Sequence, residues 1–282
     1  MGSFAVLAAL FSSACSASAS ALQHHAAVAV RATGGRALRA TLTHRLWLVA
    51  LLLQGCGFLL HATALDLGQL VVVQPLLVCV VLFALPLNRL LRHEPITARE
   101  VGWAALLVAG LAGFLVTAAP NVVLGPETAA TIPAVVAGAI GVAAVGGLVI
   151  VASRPWCLGH WRARLLGAAA GILFATQAAL LKSTVGVLGH GIGGLLTSWQ
   201  PYVLVLVGLS GIVCCQVAFR AAPLATSLPV VNTVNPLLGI VAGAVIYHEN
   251  VHYSGLPLLV ETVCLGSLVA ATLSLSRLEH AS

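Results

Sequence analysis

Thr131 to Ser153 reads TIPAVVAGAIGVAAVGGLVIVAS, and it decides the fold of this 282-residue chain. It holds no charged residue and is long enough to cross a bilayer, which takes about 20 apolar residues. Whether it crosses sets the orientation of everything that follows. The same scan finds eight more candidates, at 3–22, 45–65, 69–91, 101–119, 165–184, 201–219, 224–247 and 255–275. Basic residues then test the count, because cytoplasmic loops of membrane proteins collect Lys and Arg. With nine crossings, one side holds Arg31, Arg36, Arg39, Arg45, Arg89, Arg92, Arg99, Arg154, Arg162, Arg164, Arg220 and Arg277, and the other holds Lys182 alone. Without a crossing at 131–153 the same residues split eight to five. The asymmetry selects nine spans, with the N-terminus outside, the C-terminus cytoplasmic and the chain in the plasma membrane.

Composition agrees. Only 7% of residues are charged and 60% are hydrophobic, against about 25% charged in soluble domains. Such a chain closes its backbone hydrogen bonds inside helices, because lipid offers no partners. A cytosolic enzyme, a disordered chain and a disulfide scaffold are excluded. The seven cysteines are an odd number with no C-x-x-C pair and read as small buried thiols. The first span has the small residues of a secretory signal, but no basic residue precedes it, so it reads as an uncleaved helix. Trp47, Trp156, Trp161, Trp199 and Tyr202 fall near span ends, where amphipathic rings prefer to sit. Residues 1–282 form a single integral-membrane domain.

Residues 45–119 and 201–275 share an order of features. Leu65-Asp66-Leu67-Gly68 faces Phe219-Arg220-Ala221-Ala222, Pro75 faces Pro229, and His93-Glu94 faces His248-Glu249. A rival register pairs Pro75 with Pro236, but the first keeps the span lengths equal. The reading is all-α: a polytopic helix bundle of two inverted four-helix repeats, about 1–119 and about 165–275, joined by the linking span 131–153. Inverted repeats are a recurrent transporter design, with the cargo near the midplane between halves.

At this point the chain resembles the drug/metabolite transporter (DMT) superfamily, of the EamA type, and within it the nine-span members similar to the NIPA magnesium-transporter group. The stretches that carry the resemblance are Leu22-Gln23-His24-His25-Ala26-Ala27, Leu70-Val71-Val72-Val73-Gln74-Pro75-Leu76-Leu77, Pro223-Leu224-Ala225-Thr226-Ser227-Leu228-Pro229, and Glu249 followed by Gly255. It covers nearly the whole chain. The resemblance implies two inverted halves around a central path and alternating access. It does not supply the cargo.

Candidate path or coupling residues follow from chemistry inside the spans. Glu261 is an acid within a span, where an ionised carboxylate would cost about 2.5–3.5 kcal/mol; it reads as a coupling site or as an acid bonded to a neighbouring helix. Gln54, Gln74, Gln177, Gln216, Asn232 and Asn235 bond across helices or line a polar path. Gln74, Asn232 and Asn235 stand out, because Pro75, Pro229 and Pro236 free nearby carbonyls and interrupt spans in both halves. His61 reads as a relay or as bonded structure. Ser12, Ser16 and Ser20 form a helical stripe that reads as close packing or a hydroxyl-lined path, and Gly138, Gly141, Gly146 and Gly147 suggest close packing of the linking span. Lys182 reads as a snorkelling helix-end residue or an attractor for anions.

His248-Glu249-Asn250-Val251-His252 is a literal H-E-x-x-H, which on a helix would make His248 and His252 zinc ligands with Glu249 as general base. No third ligand follows at metzincin spacing, and Asn250, Val251 and Gly255 suit a helix end, so these are weak metal candidates. No enzymatic activity and no cofactor is expected. The leading expectation is a secondary transporter of a small metabolite or ion. Alternatives are a magnesium or other divalent-cation transporter, a membrane scaffold or receptor, and a membrane zinc metalloprotease. Expected partners are the bilayer and a small-molecule or ion cargo, with a homodimer left open and nucleic acid excluded.

Overall fold

Leu70 to Val73 is an unbroken apolar run on which a helix opens, and its backbone shows how the chain meets the limits of a lipid environment. The computed structural model describes residues 2–29, 45–92, 95–118, 131–157, 159–189, 191–222, 224–249 and 255–281. Every described element is a helix: α1 (Gly2–Ala29), α2 (Arg45–Leu67), α3 (Leu70–Leu77), α4 (Cys79–Arg92), α5 (Ala98–Ala118), α6 (Thr131–Ser153), α7 (Gly159–Leu188), α8 (Ile192–Thr197), α9 (Gln200–Ala221), α10 (Leu224–Ile246) and α11 (Gly255–Ala281). Each expected span overlaps a described helix. Among the described residues eight helical stretches are long and apolar enough to cross a membrane. The span expected at 201–219 lies in α9, whose described apolar stretch, Gln200–Cys215, is shorter.

The third expected span divides at Val78 into α3 and α4. Pro75 has no N–H to give the preceding turn, and the chain tightens there, with Val78 N donating to Pro75 O at 3.1 Å and Val81 N to Val78 O at 3.1 Å. An interruption was expected in both halves. α10 instead runs unbroken through Pro229 and Pro236. Each proline removes one hydrogen bond from a ladder that continues on both sides, a loss that transmembrane helices tolerate when neighbours satisfy the freed groups.

Packing is layered around α1, α3, α7 and α10. α1 packs on α2 and on α3 and α4, while α7 packs on α9 and α10; α3 packs on α10, and α5 on α11. The seams run through small residues. A Cβ on Gly57 of α2 would lie 3.0 Å from Ser16 Oγ and 3.3 Å from Ser12 O, and one on Gly211 of α9 would lie 2.8 Å from the Phe174 ring. Ser12 Oγ donates to Gly57 O at 2.7 Å, so Ser12 and Ser16 serve close packing of α1 on α2, whereas Ser20 is exposed.

The seams also fix relative direction. Val71 of α3 lies against Gly243 and Gln74 against Gly239, so α3 and α10 are antiparallel. Gly167 of α7 meets Ser227 and Gly171 meets Val234, so α7 and α10 run parallel. The linking segment departs from expectation. A Cβ on Gly138, Gly141, Gly146 or Gly147 would meet nothing within 4 Å, and α6 lies mostly exposed against α7. Its glycines do not serve close packing within the described chain, because α6 sits at the edge of the bundle.

Candidate functional site

The first two backbone N–H groups of α3 have no partners within their own helix. Gln69, at the N-cap position, supplies no side-chain bond. A carboxylate from the other end of the chain takes its place: Glu249 Oε1 accepts from Leu70 N at 2.8 Å and Oε2 from Val71 N at 2.7 Å. The local backbone explains the reach. α10 ends at Ile246, His248 takes a left-handed conformation at φ 51°, and Glu249 N returns to Gly243 O at 3.1 Å while Tyr247 N bonds the same carbonyl. This closure past a left-handed residue ends the helix and turns Glu249 back under the bundle.

Lys182, near the C-terminal end of α7, forms an ion pair with Glu249 Oε1. The Glu249 side chain is fully buried and that of Lys182 only 12% exposed. Lys182 Nζ also reaches Gly68 O at 3.4 Å and stands 4.9 Å from the centroid of the Tyr247 ring, a favourable site for a cation. The Tyr247 hydroxyl donates to Ala179 O at 2.6 Å and lies 2.6 Å from Ser183 Oγ. The Lys182 side chain thus neither snorkels to the surface nor stands ready as an anion attractor.

Below this cluster a cleft lies between α3, α10 and α11, lined by Pro75, Val78, Asn232, Thr233, Pro236, Leu237, Ile240, Leu265, Leu268, Val269 and Thr272. At 1.5 Å per residue it spans depths of about 8 to 25 Å from the Glu249 end. None of these lining residues is charged. Gln74 is fully buried beside it against Gly239. Neither end of its amide bonds a described residue, and the same holds for Thr233 Oγ1 and Asn235 Oδ1.

The remaining candidates scatter. Asn232 lines the cleft, but Gln177 turns to the α7–α9 seam, its Nε2 2.7 Å from where a Cβ on Gly208 would sit. Gln54 is exposed on the outer face of α2. His61 keeps a buried Nε2 with no described partner. Glu261 is 3% exposed and is not without an interaction partner. It lies six residues beyond Gly255, about 9 Å from the end of α11 and closer to the middle of the Gly255–Leu275 stretch than to that end. His248 is exposed and Glu249 committed to Lys182, both past the end of α10 and so not on a helix. His252, Glu94, Glu127 and the Gln216 side chain lie outside the described residues, as do the side chains of Gln23, His24 and His25. No group of three or more His, Cys, Asp or Glu is placed to hold a metal among the described residues.

At the opposite end Glu100 is buried and accepts from Arg89 Nε at 3.0 Å and from Thr97 N at 2.7 Å. This pair ties α4 to the start of α5 within one half.

One comparison bears on kinship. Over 225 residues the chain is 30% identical to "Uncharacterized protein Cgl0250/cg0304" of Corynebacterium glutamicum, covering 78% of this chain and 75% of that protein. The chain belongs to that protein's family. No family model matches the chain, and no solved structure does. The name of this family member carries no activity, so function rests on geometry.

Sequence reasoning weighed Lys182 and Glu249 separately, one as a surface cation and one inside an H-E-x-x-H string. The available signal was their location. Lys182, Gly68 and Glu249 all fall on one side in the nine-span path, and a lone base opposite a span-end acid is a pairing that the alternation of spans makes geometrically open.

Proposed function

We propose that the chain is a secondary membrane transporter working by alternating access, with a DMT/EamA-like arrangement of two inverted halves joined by α6. The observation that carries this reading is the cleft, lined from the first half by α3 and from the second by α10 and α11. The unbonded amide of Gln74, the unbonded Oδ1 of Asn235 and the hydroxyl of Thr233 lie at or beside it. Buried polar groups left unpaired cost about 1–3 kcal/mol each, a cost that a polar cargo offsets by bonding them.

The inversion has independent support. α3 and α10 meet antiparallel, the direction expected for an even number of crossings between them, which α5, α6, α7 and α9 supply when α6 crosses. Gly57 and Gly211, each one of several close-approach glycines in its half, are 154 residues apart, the spacing that separates Pro75 from Pro229. This favours the Pro75–Pro229 register over the Pro236 one. The basic residues then put the N-terminus outside and the C-terminus in the cytoplasm.

The cargo is a small uncharged or weakly polar metabolite. A magnesium path is the second reading, and the cleft weighs against it, because Mg²⁺ is held through carboxylates and water and no lining residue is charged. Thermal stabilisation of the purified protein by a panel of neutral metabolites, followed by uptake of the stabilising compound into proteoliposomes, tests the proposal. Stabilisation and uptake of Mg²⁺ alone would transfer the case to the cation reading, and no response to any solute would favour a scaffold. Glu261→Gln is expected to abolish ion-coupled uptake with expression retained; unchanged uptake would remove Glu261 from coupling.

A further inference from the structure

Two buried ion pairs are present among the described residues, and they differ in what they join. Arg89 and Glu100 connect α4 and α5, consecutive helices of one half. Lys182 and Glu249 belong to the second half, yet their remaining bonds go to the first: Glu249 to the N–H groups of Leu70 and Val71, Lys182 to Gly68 O. The cross-half polar contacts at this end converge on these two side chains. Directly beneath them the halves touch, with Val71 against Gly243, and the cleft begins one turn further down at Pro75.

We propose that the Lys182–Glu249 pair is a latch that closes the cleft at this end of the bundle, and that its rupture opens the seam between α3 and α10. The inference rests on the transporter reading, since a latch requires two halves that part. The surrounding backbone suits the role. Glu249 lies on a non-helical link rather than within a helix, and α3 is an eight-residue segment separated from α4 at Val78. The segment held by the latch is therefore short and already broken from the helix below it. The charges are also matched to a reversible contact. A helix N-terminus and an ammonium both hold a carboxylate strongly when closed, and all three groups are hydratable when the seam opens. Apolar packing alone would leave α3 with two unpartnered N–H groups in the closed state. Arg89–Glu100 crosses no seam and stays made throughout.

The test reads access, so it needs no cargo. Thr233, in the cleft, is replaced by cysteine, and a membrane-impermeant maleimide is applied from the Lys182 side of oriented vesicles, with the labelled position resolved from the native cysteines by peptide mass spectrometry. Protection is expected with the latch intact and in Lys182→Arg, which keeps the charge. Labelling on the order of tenfold faster is expected in Lys182→Met and in Glu249→Gln, the ratio that a shift of the closed–open equilibrium by one decade yields. Should either single variant fail to fold, the neutral pair Lys182→Met/Glu249→Gln leaves no lone buried charge and carries the same expectation. Exchange of the two residues is expected not to restore protection, because an ammonium at position 249 cannot accept from Leu70 N and Val71 N. Folded latch variants that label no faster than the parent overturn the proposal. So does rapid labelling of the parent from this side. If Thr233→Cys labels from the opposite side alone in every variant, the transporter reading stands and the latch falls; if it labels from neither side in any variant, both fall.

Discussion

Glu249 illustrates how much a single side chain is asked to do when water is absent. Its two oxygens accept two backbone N–H groups and an ammonium, three donors for the roughly four acceptor directions of a carboxylate. Removing one member of such a buried pair leaves the other charged and unpaired, at a cost of about 3–5 kcal/mol, whereas replacing both is often close to neutral. Lys182→Met and Glu249→Gln are each expected to lower thermal stability in detergent sharply. The double variant should lose much less than the sum of the two. Additive losses in that cycle would mean that the pair is not coupled. Lys182 also shows why its role was illegible from sequence: a lone base at a span end has the same local pattern whether its stem carries the charge to the interface or folds it inward.

At the scale of elements, the decisive contact is α3 against α10. Gly243 is there because nothing larger fits: a Cβ would lie 2.5 Å from Glu249 Oε2, 2.8 Å from Val71 Cγ2 and 3.0 Å from Val71 N. Gly243→Ala is therefore expected to destabilise by about 1–3 kcal/mol, as overpacking does, and to push the carboxylate from its seat without changing any charge. A melting temperature equal to that of the parent would show that the seam has slack. Helix identity itself was legible, because runs of about 20 apolar residues in a chain with few charges have no other solution in lipid. Where α3 ends was not. Pro75, Pro229 and Pro236 are the same residue in similar spans, yet only the first sits beside a break, since the outcome depends on which neighbours meet the freed carbonyls.

For the whole molecule, the argument turns on direction. The basic residues predict which ends share a side, and the antiparallel meeting of α3 and α10 agrees with that parity. Reporter fusions give the check: a C-terminal fluorescent protein should fold and emit in the cytoplasm, while a reporter inserted after Asp66 should be active only outside. Both reporters on one side would refute the nine-crossing path.

Sequence by itself determined that this protein is an apolar helical chain suited to a membrane and where most of its helices lie, because apolar length is local and countable. The cleft candidates were half legible: Asn232 and Pro75 line it and Gln74 lies beside it, while Gln54 and Gln177 face elsewhere and Thr233 was not singled out. A polar residue in a span has one sequence signature but, once the helix is rotated into place, a full circle of directions. Only the tertiary structure decided that a lysine on α7 and a glutamate beyond α10 would meet at the first turn of α3. That contact joins residues up to 179 positions apart, and it exists because packing brought three helix ends together and left two N–H groups to be satisfied there.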